Sequence, residues 1–128
     1  AAGIDSHQID YVNAHATSTQ PGDLSEMQAL NAVFLNGGGG GPAISSTKAL
    51  TGHGLSLASI MEAGFCMLAL KEGFMPGSAH IRELDPVATG LNIIRRTEAT
   101  APRVILSNSS GFGGSNVAIV FTRPREWD

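Results

Sequence analysis

Apolar and polar positions alternate along the chain in a way that predicts strand, helix, strand, helix and hairpin. Ile9-Asp10-Tyr11-Val12-Asn13 is rich in β-branched and aromatic residues and reads as a strand. A polar loop follows from His15 to Pro21. Gly22-Asp23 then opens a helix to about Leu35, with Asp23 as N-cap and Glu26 three residues on, the spacing of a capping box. Leu24, Met27, Leu30 and Phe34 give it one apolar stripe. Ala43-Ile44-Ser45-Ser46 predicts a short strand and Thr47 to His53 a second loop. From about Leu55 to Glu72 the chain is apolar almost all round, which predicts a central, buried helix. A loop and the extended piece Leu91-Asn92-Ile93-Ile94 follow. Arg103 to Asn108 and Asn116 to Thr122 are strands joined by the glycine turn Ser109 to Ser115. This order implies an α/β class with a mixed sheet.

The chain has 128 residues, room for one domain. Its 42% apolar and 15% charged residues are those of a globular domain. Eight basic and eleven acidic residues sum to −3, and no basic run exceeds Arg95-Arg96, which argues against nucleic acid as a partner. The longest apolar stretch, Leu55 to Leu70, is interrupted by Glu62 and short of a membrane span. No signal-peptide pattern is visible, and a single cysteine, Cys66, permits neither an internal disulfide nor a cysteine-based zinc site. A cytoplasmic setting is expected. The opening Ala1-Ala2-Gly3 resembles a helix end with a glycine cap, so the chain is expected to be part of something longer. Glycine is abundant, 16 residues, and the run Gly37 to Gly41 reads as a surface connection. It lacks the following Lys-Ser/Thr of a phosphate loop.

Candidate chemistry collects after the strands. His15 follows the first, Lys48 and His53 the second, Asn108 and Phe112 the third. Ligand sites of open α/β sheets lie beyond the carboxyl ends of strands, so these groups point to one shared site. His7 and His80 fall outside this pattern and read as surface residues. Lys48 sits among small and apolar neighbours and needs a partner. Glu62, a carboxylate within an apolar helix, is the matching case. A structural Lys48–Glu62 pair is one expectation. The other is that the cation also disfavours charge on His53, leaving a neutral imidazole able to donate to an oxyanion. His15 and His53 would then make a donor pair for an enolate. Cys66, between Phe65 and Met67 in mid-helix, reads as core.

Three motifs are more specific. His-Ala-Thr-Ser-Thr-Gln-Pro-Gly-Asp (15–23), Ser-Thr-Lys-Ala-Leu-Thr-Gly-His (46–53) and Asn-Ser-Ser-Gly-Phe-Gly-Gly-Ser-Asn (108–116) resemble the β-ketoacyl-acyl carrier protein synthases of the elongating type. The resemblance runs along the whole chain, 1–128, and is to the C-terminal half of a thiolase-like fold. It implies an acyltransferase of fatty acid or polyketide synthesis that performs a decarboxylative Claisen condensation between an acyl thioester and malonyl-carrier protein. By resemblance His15, His53 and Lys48 are catalytic, and Thr17 and Thr19 bind the phosphopantetheine arm. Phe112 gates the acyl-cysteine. Asn13, Glu26, Glu62, Ser107 and Asn108 match a structural monovalent-cation site, Na+ or K+, in some members. No further cofactor is implied, because phosphopantetheine arrives on the acyl carrier protein. The nucleophilic cysteine belongs to the absent N-terminal half, so this chain alone is expected to be inactive, and the full-length enzyme is expected to be a homodimer. Ala16 stands where glycine is usual and Ser110 where a bulky residue is often found. Two other readings are a non-catalytic chain-length-factor-type partner and a thiolase- or chalcone-synthase-like transferase. The first often lacks the histidines kept here, and the second uses other motifs.

Overall fold

A computed structural model describes residues 2–35 and 40–127. Gly37 to Gly39 of the glycine run therefore lie outside the described residues. Five strands form one sheet in the order β3-β2-β1-β4-β5. They are β1 (Tyr11–Asn13), β2 (Ala43–Ser45), β3 (Asn92–Ile93), β4 (Val104–Gly111) and β5 (Ser115–Thr122). The first four run parallel, and β5 pairs antiparallel with β4 as an edge strand. The mixed sheet expected from the element order is present.

Helix α1 (Gln20–Phe34) covers one face of the sheet and α3 (Ala58–Glu72) the other. Side chains alternate across a strand. Tyr11 thus joins Cys66, Leu70 and Ile105 under α3, while Val12 joins Leu30, Phe34 and Ile44 under α1. Three boundaries differ from the sequence expectation. The first helix begins at Gln20, after Thr19 as N-cap, because Pro21 suits a first turn, where its missing N–H would be unpaired anyway. Asp23 is therefore not the cap. Its carboxylate accepts the Ser18 N–H at 3.1 Å. The expected loop Thr47–His53 contains the short helix α2 (Lys48–Thr51). The hairpin strands run on through Gly111 and from Ser115, leaving Phe112 to Gly114 as the turn.

The expectation of a wholly buried second helix needs correction. Leu55–Leu57 is a separate 3-10 turn, and only one face of α3, carrying Ala58, Glu62, Cys66, Ala69 and Leu70, is buried. Ile60 is 65% exposed and Leu68 51%, because the sheet covers the helix from one side only. The helix end expected at Ala1-Ala2-Gly3 is likewise not seen from residue 2 onward, although Gly3 has the positive φ of such a cap, 69°.

Candidate active site at the carboxyl edge of the sheet

The parallel strands β1, β2 and β4 end on one edge, and the loops that leave it carry the candidate residues. His15 lies two residues beyond β1. Glu26, on α1, holds this loop: Oε1 accepts the His15 N–H at 2.8 Å and Oε2 the Ala16 N–H at 2.7 Å. Asn108 Nδ2 donates to the same carboxylate at 2.6 Å, tying β4 to the loop. The loop needs such clamps because Ala16 (φ 23°) and Ser18 (φ 64°) both have positive φ, which is disfavoured for residues with a Cβ. The capping-box reading hid these carboxylate roles. The signal was available, since Asp23 and Glu26 stand three apart in the first turns and so share a helix face.

After β2, Ser46 is fixed by Ser78 Oγ, which accepts its N–H at 3.0 Å. Lys48 follows in α2 and is 8% exposed. Its Nζ pairs with Glu62 Oε1, and both side chains are almost fully buried. The expected structural ion pair is therefore present. His53, five residues further, reaches back to the first loop. The His15 and His53 ring centroids are 5.4 Å apart and the rings perpendicular. Burial and, second, the Lys48 ammonium hold His15 below its ordinary pKa, while the carboxylates of Glu26 and Glu62 oppose them. The Lys48 cation thus acts on His15. His15 Nδ1 is buried without a hydrogen-bond partner.

A cavity of about 550 Å³ opens beside His15, with Thr17, Glu26, Asn108 and Ser110 in its wall. The Thr17 and Thr19 hydroxyl oxygens are 3.3 Å apart. Phe112 is fully exposed at the hairpin tip and caps no core. Cys66 is buried, and burial pushes its thiol up to about 12, the behaviour of a core residue and not of a nucleophile. His7 and His80 are exposed.

The five residues matched to a cation site divide by face. Asn13, paired in register with Ser107, points toward α3 and Glu62, whereas Asn108 points toward α1 and Glu26. Asn13 Oδ1, Glu62 Oε2 and Asn108 Oδ1 are buried oxygens without a partner. Such hard donors fit an alkali cation in chemistry. Among the described residues no group of three or more His, Cys, Asp or Glu gathers as a metal site, and no helix is long and apolar enough to cross a membrane.

Parallel strands flanked by helices, with two histidines and a buried lysine at the carboxyl edge, define a thiolase-like α/β half. The family described as "Beta-ketoacyl synthase, C-terminal domain" matches residues 1–82, and the chain belongs to that family. It is 44% identical over 124 residues to 3-oxoacyl-[acyl-carrier-protein] synthase 1 of Escherichia coli strain K12, covering 97% of this chain and 30% of that protein. Among solved structures, a β-ketoacyl synthase from Burkholderia phymatum superposes with a TM-score of 0.87 at 35% identity, covering 95% of this chain and 29% of that one. The ketosynthase complex AntDE:AntF, described as a type II PKS acyl-carrier protein in complex with its ketosynthase bound to the hexaketide, superposes at 0.86 with 28% identity, covering 94% and 29%. The chain thus spans about 30% of the length of the curated relative.

Proposed function

We propose that this chain supplies the two-histidine part of a condensing active site in a 3-oxoacyl-carrier-protein synthase. The observation that carries the reading is the His15–His53 pair, 5.4 Å apart, with His15 held toward neutrality by burial and Lys48. In the reaction an acyl group passes from the carrier thiol to a cysteine elsewhere in the longer protein. The bond between the malonyl methylene and its carboxylate then breaks, CO₂ leaves, and the electron pair moves onto the thioester oxygen. The two imidazoles donate N–H bonds to that enolate. Its carbon attacks the acyl thioester, and the cysteine leaves as thiolate. A neutral imidazole suits this task because it stabilises the oxyanion without protonating it outright. An unpaired buried ring nitrogen, as at His15 Nδ1, is the kind of group that a working site leaves open.

The other roles extend this reading. Lys48, neutralised by Glu62, sets the field at His15. Glu26 fixes the His15 loop. Thr17 and Thr19 offer hydroxyls along the path of a phosphopantetheine arm brought by an acyl carrier protein, and Phe112, on its glycine-flanked turn, acts as the gate. A structural Na+ or K+ would take the open oxygens of Asn13 and Glu62 on the α3 face, with Ser107 beside them, whereas Asn108 and Glu26, matched to the same site, lie on the α1 face. With Cys66 inert, this chain alone performs no condensation. The full-length protein is a cytoplasmic homodimer on this reading.

The test uses the full-length protein with malonyl-carrier protein as substrate. His15→Ala and His53→Ala each remove one oxyanion donor, expected to slow decarboxylation roughly 100- to 1000-fold, or ~3–4 kcal/mol. Near-parental decarboxylation in both variants would reject the assignment.

A further inference from the structure

His15 and His53 are held by different means. His15 sits in a loop clamped by the Glu26 carboxylate. His53 is exposed, and among the described residues its side chain makes no hydrogen bond or ion pair. The His15 ring makes none either and the two rings meet edge to face, so the direction of each depends on its backbone, which for His53 is the stretch that joins it to α3. That backbone is a tight turn, in which the Leu57 N–H donates to the Gly54 carbonyl at 3.0 Å. Leu55 is the first central residue of the turn and has φ 52°. Turns with positive φ at that position ordinarily take glycine there. Leucine has a Cβ to clash and no polar group to offer the backbone in return.

A backbone outlier beside a candidate catalytic group is a reason to look for a role. The Leu55 side chain is 68% exposed, so little packing among the described residues offsets the disfavoured angle. It is not alone. Leu50 (73%), Leu57 (57%) and Ile60 (65%) are exposed around it. An occupant for this apolar rim is offered by the matched relative, whose remainder beyond the aligned part is more than twice this chain's length. We propose that Leu55 is the positioning residue for His53. Its side chain, seated against that remainder, holds the left-handed turn and so aims the imidazole at His15. The proposal rests on the reading of His53 as an enolate-holding group.

Leu55→Gly separates this role from plain packing, because glycine accepts the observed angle without cost while removing the side chain. In the full-length protein, the malonyl-carrier protein decarboxylation kcat should fall about tenfold or more with KM within about twofold, the signature of misplaced chemistry and not of lost binding. The thermal midpoint should not drop in proportion. The His53 ring resonances should shift or broaden in NMR spectra. Leu55→Met, which keeps an apolar side chain, should restore most of the rate. Unchanged kcat with unchanged His53 resonances in Leu55→Gly would overturn the proposal, as would a rate loss that only tracks lost thermal stability. If His53→Ala itself leaves decarboxylation intact, the proposed function fails, yet the His53 resonances still decide whether Leu55 positions the ring.

Discussion

The buried Lys48–Glu62 pair makes a quantitative prediction that links packing to chemistry. The side chains are 5% and 3% exposed, so solvent screens neither charge. Removing one partner leaves the other buried and unpaired, which typically costs about 3–5 kcal/mol. Lys48→Met and Glu62→Leu should each lose roughly that much in urea unfolding of the full-length protein. The double variant should recover most of the loss, because a shape-matched apolar pair needs no desolvation and Glu62 Oε2 already lacks a partner. The same cycle should move His15 in opposite directions. Lys48 depresses its pKa and Glu62 raises it, so Lys48→Met should shift the NMR titration upward and Glu62→Leu downward. The stability consequence has a definite sign. A histidine whose folded pKa lies below its ordinary value contributes stability that is present above about pH 6.5 and is lost as pH falls through the folded value. Lys48→Met should narrow that window. Single variants within about 0.5 kcal/mol of the parent, or a His15 titration that moves the same way in both, would refute the reasoning.

Two further outcomes are expected. A Cβ at Gly77 would lie 2.4–2.6 Å from Arg96 backbone atoms, and the Ser78 N–H next to it donates to the Ile94 carbonyl at 2.9 Å, so Gly77→Ala should lower stability in urea unfolding by about 1–3 kcal/mol or more; an unchanged midpoint would show that these two segments do not pack this closely. Phe112 is fully exposed, so Phe112→Ala should change stability by less than about 0.5 kcal/mol while malonyl decarboxylation runs without an acyl group and condensation falls; single-turnover assays of both steps check it, and a proportional fall in both removes the gate.

What the sequence disclosed and what it hid have physical causes. The strand at Tyr11–Asn13 was legible from its β-branched and aromatic residues although all three positions are buried, and α1 from its apolar stripe, of which Leu30 and Phe34 are buried. The Lys48–Glu62 pair was legible because a charge in an apolar setting needs an opposite one. The start of α1 was misread because Asp23 and Glu26 fit two patterns, a cap and a pair of clamps, and only the positions of Ser18 and His15 distinguish them. The short helix α2 carries too few residues to show a period. Nor can a helix that is apolar all round reveal which of its faces this chain covers.

That last ambiguity bears on where the reaction is assembled. The α1 side of the sheet is closed by Leu30, Phe34 and Leu91, while apolar residues remain open on the α3 side: Ile60 and Leu68 on the helix, Val117 and Ile119 on the edge strand. In register, Val117 faces Ser109 and Ile119 faces Ser107, whose side chain points toward α3, so these strand residues share the face of the helix. The turn with Leu55 opens on the same side, whereas the His15 clamp is anchored on α1. The two imidazoles are therefore supported from opposite layers: His15 from the α1 layer, and His53 from the α3 layer, whose outer apolar residues stay exposed. Covering the α3 side removes apolar surface from water and in the same step constrains the backbone that carries the exposed imidazole of the pair. On the proposed function, this arrangement couples the competence of the oxyanion pair to the presence of the segment that carries the nucleophile.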